Sequence, residues 1–247
     1  MKGTIFDLGG TLMHLTVTWE QIREARINAI DEALKEHGVV LDLSDLKREY
    51  LRLHEEESEY ATRTLEEIEI RQSFNNLFDR LGVEARQRPE NEDLVKRFFA
   101  AEIGSWALFP GVVEMLEQVR DLGLKMGLLS NARNDWAVRV IMEHLGLTRF
   151  FDAILTSAAV GIRKPRPEPF RQMLGLLGVN ASETVMIGNS MDADVAGARP
   201  LGIKTIHVKF DDNADEMPID LDVTVEPDIT VSAVSDVVPA IKRIAGL

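Results

Sequence analysis

The chain opens with a short apolar, β-branched run at residues 3 to 6, stopped by Asp7 and followed at once by Gly9 and Gly10. That pattern predicts a buried strand that delivers Asp7 from its carboxyl end into a tight turn. From about residue 15 to 105 the apolar period becomes helical, and no convincing strand interrupts it. Thr18 and Gln21 have capping-box spacing, Ile22, Ala25, Ala29, Ile30, Ala33 and Leu34 share one side, and Gly38 stops this first helix. A second helix is predicted over about 44–62, with Leu46, Tyr50 and Leu53 inward. Thr64 and Glu67 read as another capping box, starting a third helix that carries Phe74, Leu77, Phe78 and Leu81 up to Gly82. A fourth follows Pro89, with Leu94, Val95, Phe98 and Ile103 on its apolar side. Stripes at this spacing form bundle cores, so residues 15–105 read as an inserted four-helix unit.

Beyond residue 110 the pattern alternates. Pro110 and Gly111 start a helix that Gly123 ends, residues 125–129 form a strand, and a helix over 134–145 follows Ser130 and Asn131. Further strands fit 153–156, 184–187 and 203–208, separated by helices near 167–177 and 192–199. Residues 211–220, rich in Asp, read as an exposed loop, and 222–247 allow an edge strand and a closing helix. This rhythm predicts an α/β fold: a Rossmann-like parallel sheet, built from 1–14 and 106–247, covered on both faces and binding ligands beyond the strands' carboxyl ends.

Composition narrows the chemistry. The 247 residues carry 28 Lys plus Arg against 41 Asp plus Glu, a net charge of -13, and within 15–105 the acidic residues outnumber the basic by 21 to 13. A nucleic-acid partner needs clustered cations; here the short Arg163-Lys164-Pro165-Arg166 run stands almost alone, which suits a single small anion. The absence of cysteine removes disulfides, thiolate catalysis and cysteine metal sites. No segment approaches the roughly 18 apolar residues of a membrane span, and Asp7 interrupts any apolar leader, so no membrane association is expected and the protein is read as cytoplasmic. His14, His37, His54, His144 and His207 show no paired ligand spacing, which argues against a zinc enzyme.

Four polar clusters fall after predicted strands: Asp7 with Thr11, Ser130 with Asn131, Lys164, and Asn189 and Ser190 with Asp192 and Asp194. Together they offer a nucleophile, hydroxyl and amide groups for oxygens, a cation, and carboxylates for a divalent metal. Asp192 fits an ordinary first-turn helix position better than a site role. The ordered set Phe6-Asp7-Leu8-Gly9-Gly10-Thr11-Leu12, Leu129-Ser130-Asn131, Lys164-Pro165-Arg166-Pro167 and Ile187-Gly188-Asn189-Ser190 with Asp194 resembles the four motifs of the haloacid dehalogenase superfamily. The resemblance spans the chain, because the helical insert is similar to the cap of the dehalogenase and phosphoglycolate-phosphatase-like branch.

That resemblance implies a hydrolase acting on a small phosphorylated substrate, in which Asp7 attacks phosphorus and forms an aspartyl-phosphate that water hydrolyses. By the same matching, Lys164 neutralises charge, Thr11, Ser130 and Asn131 bind the phosphoryl group, and Mg²⁺ is held by Asp7, the Gly9 backbone carbonyl, Asn189 and Asp194. A hard, small cation does prefer such oxygen ligands.

Two positions depart from the superfamily pattern. Gly9 stands where its phosphatases carry a second aspartate as general acid and base, assistance typically worth about 10²- to 10⁴-fold. His14, just past the turn, is the one replacement candidate. Asn189 stands where an aspartate ordinarily binds metal, which removes one negative charge and weakens metal binding. These losses leave three other readings: a metal-independent 2-haloacid dehalogenase, a phosphonate hydrolase using Lys47 or Lys35, and a catalytically quiet phosphate-binding module. The sequence sets no oligomeric state.

Overall fold

The computed structural model describes residues 1–210 and 225–246. The Asp-rich stretch 211–220, read as a loop, lies outside them. The chain divides into two compact units, Met1–His14 with Ala107–Leu247, and Leu15–Trp106. In chain order the elements begin with β1 (Gly3–Phe6), β2 (Met13–Leu15), α1 (Trp19–Glu36), α2 (Leu43–Thr64), α3 (Ile70–Arg80), α4 (Asn91–Ile103) and β3 (Trp106–Leu108). They continue with α5 (Val112–Asp121), β4 (Lys125–Ser130), α6 (Asp135–His144), β5 (Ala153–Thr156), α7 (Ser157–Val160), α8 (Pro167–Leu177) and β6 (Thr184–Gly188). A short α9 (Ala196–Ala198), β7 (Lys204–Val208), β8 (Ile229–Val231) and α10 (Val237–Ala245) complete them.

The first unit is the expected α/β fold. Six strands, all parallel, run in the order β5-β4-β1-β6-β7-β8. Successive strands from β1 move outward to β4 and β5, and the chain then returns to place β6 on the other side of β1. The order therefore reverses between β1 and β6, the point at which open parallel sheets bind ligands beyond the carboxyl ends of their strands. Ile5, Leu129, Leu155 and Met186 face α8, whose Phe170 and Met173 are fully buried. Each such side chain stabilises the fold by roughly 1.5–3 kcal/mol, so this layer anchors the strands whose ends carry the polar residues. α8 starts at Pro167, whose missing N–H and fixed φ suit a first helical turn, and ends at Gly178 in the left-handed conformation.

The second unit is a four-helix assembly with its own aromatic core. Phe74 meets Phe98 edge to face at 5.2 Å, Phe98 meets Phe99 at 5.1 Å, and Tyr50 lies beside Phe98. Thr18 and Gln21 do form the capping box of α1. Its buried face includes Ile27 and Asp31, while Ala25 and Ala29 are only half-buried. The third helix begins later than its sequence spacing implies. Thr64 is the last residue of α2, where its hydroxyl donates to the Tyr60 carbonyl and accepts from the Glu66 N–H. Leu65 then takes a left-handed conformation, with φ of 58°, and Glu69 caps α3. A cap-like pair of residues was here bound to the end of one helix instead of the start of the next, because Thr side chains bond equally well to a carbonyl one turn back.

The pairing of β2 with β3 escapes the sequence pattern, since strands of three residues have no periodicity to read. The predicted helix near 192–199 is a composite: a five-residue π turn, Met191–Val195, then α9 and a 3₁₀ turn, Arg199–Leu201. Single π turns often mark functional sites.

Candidate active site

Asp7 leaves β1 at the point where the strand order reverses. Its N–H donates to the Ile187 carbonyl at 2.9 Å, which continues the β1–β6 ladder up to the residue where the turn begins. The turn closes tightly: the Leu12 N–H donates to the Leu8 carbonyl at 2.8 Å, the Gly10 N–H to the Met13 carbonyl at 2.8 Å, and Gly9 bridges Met13. Gly10 has a φ of 70°, and a Cβ there would collide with the Asn189 carboxamide. Only glycine allows the turn of β1 and the end of β6 to approach so closely.

Three charged groups meet at the centre. Lys164 Nζ donates to Asp7 Oδ1 at 2.7 Å, to Asp194 Oδ1 at 2.6 Å and to the Leu129 carbonyl at 2.8 Å, which uses all three of its hydrogens. Lys164 is 2% exposed and Asp194 1%, while Asp7 retains an opening at 8%. Burial opposes the ammonium, yet the carboxylates of Asp194 and Asp7 outweigh it and raise the Lys164 pKa above its ordinary value. Burial pushes Asp194 up to about 6, while the Lys164 charge pulls against that rise and the Asp7 charge adds to it.

Each member is held by its own local structure. Asp194 sits in the π turn, where its Oδ2 accepts the Ser190 N–H at 3.1 Å; a side chain at Gly188 would occupy the same space as its carboxylate. Lys164 does not follow β5 directly, because α7 and the turn at Gly161 intervene. Its backbone is gripped by Asn131: the Lys164 N–H donates to Asn131 Oδ1 at 2.8 Å, and Asn131 Nδ2 donates to the Lys164 carbonyl at 3.0 Å. The Asn131 carboxamide thus faces Lys164 as a second peptide would, a different use from the phosphoryl contact expected of it. Neither it nor Ser130 caps the following helix, a task that Asn134 performs. Ser130 ends β4 and is 7% exposed.

Thr11 is buried and its hydroxyl donates to Asn189 Oδ1 at 3.0 Å, with Asp7 Oδ2 farther off at 3.4 Å. It ties the turn after β1 to the end of β6, and its hydroxyl is committed there instead of being offered to a phosphoryl oxygen. His14 packs its ring 5.0 Å from that of Phe109.

Two supports were missed. His207 on β7 is buried, and its Nε2 lies 2.8 Å from the Asn189 carbonyl. Burial lowers its pKa, so the ring is neutral and donates that hydrogen bond. The sequence signal for this support is a lone histidine inside the β-branched run Lys204–Val208. Ser157 holds the loop after β4, accepting from the Ala132 N–H at 2.8 Å and donating to its carbonyl at 3.1 Å.

Among the described residues the donors suited to a metal here are oxygens: the carboxylates of Asp7 and Asp194, the Asn189 carboxamide and backbone carbonyls of the turn. Their hardness fits Mg²⁺, which usually takes one or two carboxylates and fills its sphere with water and phosphate. Among the described residues no group of three or more His, Asp or Glu side chains could hold a metal.

Comparison with known proteins places this geometry in a family. Residues 1–202 match the model of the haloacid dehalogenase-like hydrolase family. The chain belongs to that family and is a hydrolase. It is 30% identical to a glyceraldehyde 3-phosphate phosphatase of Methanopyrus kandleri over 230 residues, covering 88% of this chain and 91% of that one. A phosphoglycolate phosphatase of Yersinia pestis is 29% identical over 153 residues, 62% of this chain and 63% of the other. Among solved structures, a 2-haloacid dehalogenase from Pseudomonas syringae superposes with a TM-score of 0.70 at 22% identity, covering 98% of this chain and 99% of that one. At that identity the likeness speaks for the fold alone. No helix among the described residues is long and apolar enough to cross a membrane.

Proposed function

We propose that the chain is a phosphatase of small phosphorylated metabolites that works through an aspartyl-phosphate on Asp7 and depends on Mg²⁺. The observation that carries this reading is the placement of Lys164 Nζ on one oxygen only of Asp7, at 2.7 Å. The ammonium orients the carboxylate through Oδ1, and among the described residues Oδ2 has the 3.4 Å approach of Thr11. The phosphatase names of the relatives at 30% and 29% identity support the same reaction.

Asp7 Oδ2 attacks phosphorus, the ester P–O bond breaks, and the alcohol oxygen departs with the bonding pair. Lys164 offsets charge that accumulates as the phosphoryl group arrives beside two carboxylates, and Ser130 supplies a hydroxyl to its oxygens. Asn131 and Asp194 act through Lys164: one fixes its backbone, the other its ammonium. Asp7, Asp194, the Asn189 carboxamide and the Gly9 carbonyl would hold Mg²⁺, which would add charge neutralisation. Water then attacks the aspartyl-phosphate and returns the free carboxylate with inorganic phosphate.

No carboxylic acid stands at Gly9 to protonate the leaving oxygen, so turnover follows leaving-group stability: aryl and acyl phosphates react faster than alkyl phosphates. Phosphate release from p-nitrophenyl phosphate, acetyl phosphate, glyceraldehyde 3-phosphate and phosphoglycolate, with and without Mg²⁺, tests the reading. Asp7→Asn is expected to lose at least about a thousandfold in kcat. Equal rates for the two proteins would end it.

A further inference from the structure

His207 and Asp194 bond to opposite ends of one peptide. The carbonyl of the Asn189–Ser190 peptide accepts from His207 Nε2 at 2.8 Å, and the N–H of the same peptide, that of Ser190, donates to Asp194 Oδ2 at 3.1 Å. The peptide is trans and planar, so its two ends point in opposite directions and turn together. The other oxygen of Asp194, Oδ1, accepts from Lys164 Nζ at 2.6 Å, and Nζ donates to Asp7 Oδ1 at 2.7 Å. An unbroken line of hydrogen bonds thus runs from β7, through the turn after β6, to Asp7.

We propose that His207 is a positioning residue for the Asp7 nucleophile: by holding the Asn189 carbonyl it fixes the direction of the Ser190 N–H, and through that N–H the placement of Asp194 and Lys164. The inference rests on the phosphatase reading for its effect on rate. The Asn189 side chain does not do this task. Its Oδ1 takes the Thr11 hydroxyl at 3.0 Å, which anchors the carboxamide over Gly10 but does not set the direction of the peptide that follows. With no donor on the carbonyl, a crankshaft turn of that peptide carries the Ser190 N–H away from Asp194. Asp194 is 1% exposed and Lys164 2%, so neither replaces a lost bond with water. Bonds in such a line polarise one another, and a loss at one end is felt at the other. Lys164 and Asp7 act as the phosphoryl group transfers, so the loss falls on kcat, about 10- to 100-fold, with KM within about twofold.

Two variants separate the donor from the bulk of the ring. His207→Phe keeps the ring and removes the donor; His207→Gln loses the ring and keeps an N–H able to reach the carbonyl. The experiment measures turnover of p-nitrophenyl phosphate with Mg²⁺ and, by NMR, hydrogen exchange at the Ser190 amide in wild type and both variants. The ring nitrogen shifts of the wild type give the His207 tautomer. Expected are a ring protonated at Nε2, a Ser190 amide that exchanges at least about tenfold faster in His207→Phe, and a kcat about 10- to 100-fold lower there at little-changed KM. Both readouts return toward wild type in His207→Gln. A packing role ranks the variants the other way, with His207→Phe nearer wild type, and that result overturns the inference. So does a wild-type ring protonated at Nδ1 alone, a measurement that needs no variant to fold. Wild-type kcat in His207→Phe overturns this inference and leaves the phosphatase reading standing. A wild type that releases no phosphate from any substrate overturns the two together.

Discussion

The exposed ion pairs of the helical unit and the buried triad of the α/β unit obey opposite physics. In the helical unit, pairs such as Arg52 with Glu56 and Lys47 with Glu24 lie on the surface, with about half or more of each side chain in water. Pairs of that kind gain little, because water screens them and two long side chains must be ordered. In the α/β unit, Lys164, Asp7 and Asp194 are withdrawn from solvent. Desolvating three charges costs more than their attraction returns, and apolar groups of equal volume would fold as well or better. A buried ionic triad is therefore retained for what it does, and an exposed pair says almost nothing about function. The net charge of -13 belongs mostly to the second kind of residue.

The sharpest way to break that contrast is Lys164→Met. Methionine fills comparable volume but leaves two carboxylates facing each other in a buried site. A loss of about 3–5 kcal/mol is expected, or roughly 10 °C in Tm, together with loss of turnover. The deficit depends on pH in a definite direction. With the ammonium gone, the Asp194 carboxyl, which burial already holds above its ordinary value, loses the charge that pulls it down, so the folded variant binds more protons than the unfolded chain and its stability increases as pH falls from 7 toward 5. Thermal melts across that range check it. A Tm unchanged at pH 7 would mean that the triad is not buried as the structure has it.

Asp228 lies between the two extremes. It accepts the Thr205 N–H at 3.0 Å and pairs with Arg199 at 2.7 Å and Lys204 at 3.2 Å, with about a fifth of its side chain exposed. Burial alone would raise its pKa, but the Thr205 hydrogen bond, Lys204 and Arg199 together lower it. A carboxylate with a lowered folded pKa contributes stability above its unfolded value of about 3.9 and loses it as pH falls through the folded one. Asp228→Asn should lower Tm by about 2–4 °C at pH 7, with the gap from wild type closing below about pH 4. A gap that persists in acid would locate the effect in packing instead of charge.

What the sequence made legible follows the same division. Strands of the core were readable because β-branched runs stop at turn residues, as at Phe6 and Asp7, and because a parallel sheet fixes which ends carry ligands. The helices were readable from apolar spacing, except where Thr64 served the helix behind it. Clustering of Asp7, Lys164 and Asp194 followed from motif order and topology. The tasks of individual amides did not. Asn131 pairs with the Lys164 backbone, and Thr11 with Asn189, through contacts between residues 33 and 178 positions apart that no local pattern encodes. His207 is invisible for the same reason: its partner is the backbone carbonyl of Asn189, just past the end of the neighbouring strand β6.

The smallest effect sharpens the comparison from the other side. Arg52 Nε lies 3.1 Å from Glu56, four residues on along α2, and Arg80 also reaches Glu56. This pair too lies within hydrogen-bond distance, at 3.1 Å against 2.7 and 2.6 Å for Lys164. Exposure separates them: both Arg52 and Glu56 keep their hydration, so removing one leaves the other paired with water or with Arg80 and no charge stranded. Arg52→Gln is expected to leave Tm at wild-type within measurement error, whereas Lys164→Met does not. A double-mutant cycle of Arg52→Gln with Glu56→Gln should give a coupling that vanishes in high salt. A coupling comparable to that of the buried triad, surviving salt, would show that distance and not desolvation governs ion pairs in this protein.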